Sequence, residues 1–208
     1  MFSDTHVPKS LRQILSQYCV PTEELIRDME KVARLVSVEK GQYVVRQGSV
    51  CGDFVFNRRG LFRVCNVTDG VEDTILFGTS GDVFTSLHSY YAHEPSIFSL
   101  MAVEDSEVWL ISYAEMRELE EKHPVLISWM RGLLIEQTYS FEKRYIFFSN
   151  KSAEERFLNF LRMSSGTLRR TSVKYISGIV PLKYIAQYLK ITQSTLSRLR
   201  KKLVSSDR

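Results

Sequence analysis

Charge is never absent for long in this chain. The longest stretch without Asp, Glu, Lys or Arg is the eleven residues from Val83 to His93, about half of the roughly 20 apolar residues that a membrane-crossing helix requires. A membrane-spanning role is excluded on that count. Met1 to Val20 carries Asp4, Lys9 and Arg12 and no apolar signal core, so secretion is not expected and a cytoplasmic protein is. Cysteine is scarce: Cys19, Cys51 and Cys65 form no metal-type pair and cannot all be disulfide-bonded, which suits a reducing compartment. Catalytic signatures are missing as well. There is no Walker loop, no His-Glu-x-x-His and no nucleophile elbow, and Glu104-Asp105 and Glu118, Glu120 and Glu121 read as solvated acidic faces. An enzyme is not expected, nor a metal or other cofactor.

Acidic residues are rare in one part only. Residues 150–208 hold 3 acidic against 13 basic side chains, a net of +10, whereas residues 1–149 hold 21 against 15, a net of −6. Two units with opposite jobs are implied. The basic one has the charge of a module that meets a polyanion, nucleic acid before an anionic membrane, because no long basic amphipathic helix with exposed Trp or Phe accompanies it. With 44% apolar residues the 208-residue chain can bury a real core.

Apolar spacing predicts helices over residues 9–35, from Leu11, Ile14 and Leu15 and then Leu25, Ile26, Met29, Val32 and Ala33, with Thr22 capping the second. From Val36 to Ile111 short runs rich in Val, Phe, Ile and Tyr alternate with turns, and seven of the ten glycines fall between residues 41 and 81. That texture predicts a β-sandwich or jelly roll. Thr68-Asp69-Gly70 suits a hairpin turn. Ser112 with Glu115 is a capping box for the next helix, and Pro124 opens a long one running to about Ser149. In it Ile127, Leu134, Phe141 and Phe148 recur every seven residues, flanked by Leu126, Leu133 and Phe147. Such a stripe serves either as a dimer seam that also packs on the β-domain, with Ile127, Met130, Leu133, Leu134 and Phe141 as its members, or as a buried intramolecular helix.

Asn150-Lys151-Ser152 reads as a hinge, and Ser152 with Glu155 as a second capping box, opening a helix that the polar stretch Ser164 to Ser172 ends. The segment from Val180 to Leu203 then places Ile185, Ala186 and Leu189 on one short helix and Thr195, Leu196, Leu199 and Leu203 on another. Lys190-Ile191 make the turn and Thr192 caps the second helix. Two short helices so joined are a helix-turn-helix. Its turn holds Lys190 where glycine is common, so the turn must form without that residue's ease at positive φ. Outward on the second helix stand Gln193, Ser194, Ser197, Arg198, Lys201 and Lys202. Gln and Arg near a recognition-helix N-terminus can pair with base edges, while later lysines suit phosphates.

The order of these parts resembles the cyclic-AMP receptor/fumarate-nitrate regulator (Crp/Fnr) superfamily of bacterial transcription factors. The resemblance spans about Leu11 to Leu203 and is carried by VEKGQYVVRQG (38–48), Gly60 before LFRV, GDVF (81–84), MAVEDSEVWLI (101–111) and ITQSTLSRLRKKL (191–203). It implies an α+β protein. Residues 1–122 would be an effector-type, double-stranded β-helix (jelly-roll, cyclic-nucleotide-binding-like) domain, 123–149 the dimerisation helix and 150–208 a winged helix-turn-helix. It also implies a homodimer on a palindromic duplex operator, with RNA polymerase as a further partner. Gln193, Ser194 and Arg198 fall at the family's base-reading positions, and Lys190, Thr192, Ser197, Lys201 and Lys202 are the candidates for phosphate contacts. Effector-pocket candidates are Gly81, Asp82, Val83, Ser96 and Ile97, but they depart from the cyclic-nucleotide pattern. The family's phosphate-binding arginine falls on Ser96, and no Arg or Lys occurs between Arg63 and Arg117. A buried phosphate without a cation is costly, so cyclic-AMP dependence is not expected. The jelly roll is then either a degenerate sensor or a site for an unidentified small ligand. Iron–sulfur and haem sensing are disfavoured, since the cysteines are scattered and His88 and Cys65 are lone candidates for axial ligands. The alternative from another class is a ligand-sensing or partner-binding jelly roll whose basic C-terminal domain binds RNA or protein.

Overall fold

The computed structural model describes residues 7–149, 151–164 and 180–206. Ser10 and Thr22 cap two N-terminal helices, α1 (Leu11–Leu15) and α2 (Glu23–Val32), each hydroxyl accepting from the backbone N–H three residues on. The helical segment stops short of residue 35. Ala33 is already extended, because Arg34 is claimed by a strand that pairs with the far end of the domain, Arg34 opposite Leu110.

Eight strands make up the β-domain among the described residues: β1 (Arg34–Val38), β2 (Tyr43–Val45), β3 (Asp53–Arg59), β4 (Phe62–Thr68), β5 (Val71–Gly78), β6 (Val83–Phe84), β7 (Ser99–Ala102) and β8 (Ser106–Ser112). They pair antiparallel in two four-stranded sheets, β1-β8-β3-β6 and β2-β7-β4-β5. This is the sandwich that the glycine-punctuated runs predict. β4 and β5 join through Asp69 (φ 52°) and Gly70 (φ 75°), so both turn residues have the positive φ a tight hairpin needs. Between β6 and β7 the chain forms a short helix, α3 (Leu87–Ala92). Phe62 and Phe84 meet between the sheets with ring centroids 6.1 Å apart, whereas Phe54, Phe56 and Ile111 share the opposite face of β3 and β8 within the same core.

Ser112 and Glu115 form the expected reciprocal cap at the start of α4 (Tyr113–Lys122). Pro124 precedes α5 (Val125–Phe148), which lies against the domain. Trp129 stacks on Phe56 with ring centroids 5.8 Å apart, and Gly132 lets the helix approach Tyr18, where a Cβ would sit 2.7 Å from that side chain. The heptad stripe splits here. Leu126, Trp129, Met130 and Leu133 are buried in the protein's own core, whereas Ile127 and Phe141, one helical step round, are 61% and 57% exposed. Met130 and Leu133 are thus taken up by the protein's own core, with Met130 also bordering an outward groove: neighbouring columns of a helix point about 100° apart, and the jelly roll takes one of them.

Ser152 and Glu155 cap α6 (Ala153–Ser164) reciprocally, at 3.2 and 2.7 Å. The polar stretch after Ser164 and any wing strand within 165–179 lie outside the described residues. Two further helices follow, α7 (Leu182–Leu189) and α8 (Gln193–Ser206). A second core joins them to the jelly roll: Leu61, Phe77 and Val103 from the outer face of the sheet meet Phe147 of α5, Phe157 and Phe160 of α6 and Ile185 and Leu189 of α7. At its centre Tyr188 packs within 5.5 to 6.5 Å of the rings of Phe77, Phe147, Phe148 and Phe160.

Candidate functional site

Helices α7 and α8 meet through Ile185, Ala186, Leu189 and Leu196, all nearly inaccessible, as their spacing predicts. Lys190 makes the turn in the left-handed conformation (φ 55°, ψ 46°). The position that often carries glycine thus keeps its geometry with a lysine in it, at a local cost of about 1 kcal/mol. Thr192 caps α8 by accepting from the Thr195 N–H at 3.1 Å. The expected reading face comes together: Gln193, Ser194, Arg198, Lys201 and Lys202 are exposed on α8 and Ser197 is half-buried beside them. Ser194 Oγ lies 2.9 Å from Thr192 Oγ1, and Arg198 donates to Thr195 Oγ1 at 3.3 Å, so both side chains are steered by the first turn. Lys202 pairs with Glu154 of α6 at 2.8 Å.

Lys190 is engaged from outside the helix pair. Its ammonium pairs with Asp73 of β5, and Lys183 pairs with Glu72 at 3.1 Å. Beneath them sits Arg63 of β4, with 1% of its side chain exposed. Its guanidinium pairs with Glu72, donates to Thr74 Oγ1 and Gln187 Oε1 at 3.2 Å each, and stacks over the Tyr184 ring at 3.7 Å. Gln187 returns a bond from Nε2 to the Glu72 carbonyl at 3.0 Å. Glu72 is held below the ordinary carboxylate range by Arg63 and Lys183 against the opposing effect of its burial. Sequence reasoning missed Arg63. Its signal was the run Leu61-Phe62-Arg63-Val64-Cys65, apolar at consecutive positions around one cation, which marks a strand covered on both faces.

The sensor candidates do not converge. Gly81 (φ 98°) accepts from Gln17 Nε2 at 2.8 Å and faces α1, across a polar cleft of about 480 Å³ shared with Lys9, Arg12 and Gln13. Asp82 turns into its own loop, accepting from the Thr79 N–H at 2.6 Å, while Val83 is buried in β6. Ser96 is buried and donates to the Phe98 carbonyl at 2.9 Å, and Ile97 is 58% exposed.

Residues 35–123 match the family model of the cyclic nucleotide-binding domain. Over 199 residues the chain is 25% identical to the transcriptional activator protein Anr of Pseudomonas aeruginosa, covering 89% of this chain and 78% of that one. It is 26% identical over 200 residues to the fumarate and nitrate reduction regulatory protein of Escherichia coli K12, covering 89% and 76%. Among solved structures it is similar to FixK2 from Bradyrhizobium japonicum, with a TM-score of 0.69 and 19% identity over 85% of this chain and 86% of that one. Over most of its length the chain is thus similar to fumarate-nitrate-type transcriptional regulators, and it shares its fold with FixK2. The relatives named are transcriptional regulators, not enzymes.

The polar and cationic groups nearest the candidate pocket residues are engaged within the chain. Ser96 spends its hydroxyl on a backbone carbonyl. Arg117 donates to the Tyr90 carbonyl at 2.8 Å and lies over that ring, and Arg63 faces α7. The space beside α3 is filled by Phe54, Tyr90 and Tyr113, packed edge to face at 4.8 to 5.4 Å. Among the described residues no group of three His, Cys, Asp or Glu side chains could hold a metal, and no helix is long and apolar enough to cross a membrane.

Burial pushes the Asp82 carboxyl up to about 6. Because the folded value exceeds the unfolded one near 3.8, the folded state holds the extra proton. Stability from this group is therefore complete at acid pH and declines as pH rises from about 4 to 6. Asp82→Asn keeps an acceptor for the Thr79 N–H and removes the buried charge. Urea denaturation is expected to show it more stable by about 1 to 3 kcal/mol at pH 7 and unchanged below pH 4. Identical curves for both proteins at pH 7 would show the carboxylate to be fully hydrated.

Proposed function

We propose that the protein is a sequence-specific, DNA-binding transcriptional regulator that acts as a homodimer and does not depend on cyclic AMP. The observation that carries this reading is the exposed face of α8. Gln193, Ser194 and Arg198 stand at its N-terminal half and Lys201 about two turns after Gln193, on a domain with a net charge of +10. A helix so furnished lays its first turns on the floor of the major groove and its later lysines on the phosphates. Residues 150–208 act as the winged helix-turn-helix module and 1–122 as the effector-type domain, on a roughly palindromic operator, with RNA polymerase a further partner.

Dimerisation uses the outward column of α5. Ile127, Phe141 and Tyr145 are mostly exposed there, and a groove of about 470 Å³ runs along the helix between Tyr91 and Tyr139. An equal column from a second copy fills such a groove in a parallel two-stranded arrangement.

Binding to an operator selected from genomic fragments and to a scrambled duplex tests the interface. Arg198→Ala is expected to cost about 1 to 3 kcal/mol on the operator and to relax preference at one base step. Lys201→Ala, which has no ion pair among the described residues, is expected to weaken both duplexes alike and lower the salt slope by about one. Equal losses on both duplexes for Arg198→Ala would demote it to a phosphate contact. A preference for RNA over either duplex would replace DNA as the target.

A further inference from the structure

The β4–β5 hairpin holds the cations of α7 with carboxylates, and carboxylates resemble DNA phosphates as acceptors. Lys183, Tyr184, Gln187 and Lys190 sit at positions i, i+1, i+4 and i+7 of one helix face, and each touches the hairpin or the arginine beneath it. The reading face of α8 is left open in the same arrangement, with Gln193, Ser194 and Arg198 exposed. What the hairpin occupies is thus the charge at the start and the turn of the helix pair, not the base-reading surface.

We propose that Glu72 and Asp73 form an autoinhibitory latch, an internal anionic competitor that withholds Lys183 and Lys190 from the DNA backbone until the hairpin releases them. The inference rests on the reading of α7 and α8 as a DNA-binding unit and adds its regulation. In the latched state the protein meets DNA with two fewer backbone cations. Releasing one of them increases affinity for every duplex alike, because phosphates carry no sequence information. It also steepens the dependence of binding on salt, since each added phosphate contact releases about 0.9 counterion. Glu72 also serves the buried Arg63, so Asp73 is the separable half of the latch.

Asp73→Asn is the test, with Asp69→Asn as its control. Asp69 lies on the same hairpin, makes the same charge change and has no ion pair among the described residues, and its left-handed conformation suits asparagine. At low salt Asp73→Asn is expected to bind operator and scrambled duplex about two- to fivefold tighter than Asp69→Asn, the range of one partly exposed ion pair. Its slope of log affinity against log salt should be steeper by about one. In a Lys190→Gln background the advantage should vanish, since no cation is left to release. Equal affinity and slope for the two asparagine variants would overturn the latch while leaving DNA binding standing, as would an advantage that survives Lys190→Gln. Failure of the unmodified protein and of both variants to bind any duplex would overturn the DNA-binding reading and the latch with it.

Discussion

Phe141→Glu is expected to turn the protein into monomers that still fold and to weaken operator binding by about 10² to 10⁴-fold, the loss when two linked half-sites become independent. Phe141 is 57% exposed and lies one heptad beyond Leu134 and two beyond Ile127, so in the proposed dimer its burial falls to the second copy. Burying a side chain of this size contributes about 1.5 to 3 kcal/mol. The substitution forfeits that contribution twice in a symmetric dimer and sets two carboxylates near the two-fold axis. Because the residue contributes little to the intramolecular core, folding should survive. Leu133→Glu serves poorly as a probe. Leu133 is 4% exposed within the protein's own core, and a buried charge there unfolds the domain whatever the oligomeric state. Sedimentation equilibrium with circular dichroism distinguishes the outcomes. An unaltered dimer mass for a folded Phe141→Glu would remove the seam from this column of α5.

Arg63→Ala should be the most damaging single truncation outside the apolar core. The guanidinium satisfies Glu72, Thr74 and Gln187 at once and carries the Tyr184 ring on its face. Breaking a buried pair by deleting one partner costs about 3 to 5 kcal/mol, and the lower end applies here because Glu72 keeps Lys183 and some solvent. The loss should fall on docking first: amide exchange in α7 should accelerate while the sheets β1-β8-β3-β6 and β2-β7-β4-β5 keep their protection. Arg63→Lys should not restore the contact, since an ammonium lacks the planar fork that reaches three acceptors while stacked on a ring. Stability and α7 exchange within error of the unmodified protein would show that the second core, not Arg63, holds the two units together.

Much of this architecture was legible because its causes are local. The caps at Thr22, Ser112 and Ser152 each need only a hydroxyl and a backbone N–H three residues away, and they appear where the residues stand. Asp69-Gly70 specifies its turn through the φ values those two residues tolerate. The apolar spacing from Ile185 to Leu199 specifies two helices that must face each other, and the charge split between residues 1–149 and 150–208 is a property of composition alone.

The remainder depended on contacts between distant segments. Gly81 and Ser96 read as one pocket by resemblance, yet Gly81 accepts from Gln17 of the N-terminal region and Ser96 donates to the Phe98 carbonyl, partners that tertiary packing and not spacing supplies. The heptad of α5 offered two adjacent columns of equal quality. Where the jelly roll sits buried Leu126 and Leu133 and left Ile127 and Phe141 outward, and no periodicity distinguishes a column covered by its own chain from one awaiting a partner. Arg63 and Gln187 are 124 positions apart. A strand arginine reads as solvated until a helix closes over it, so the junction between the acidic and basic units belonged to the tertiary structure alone.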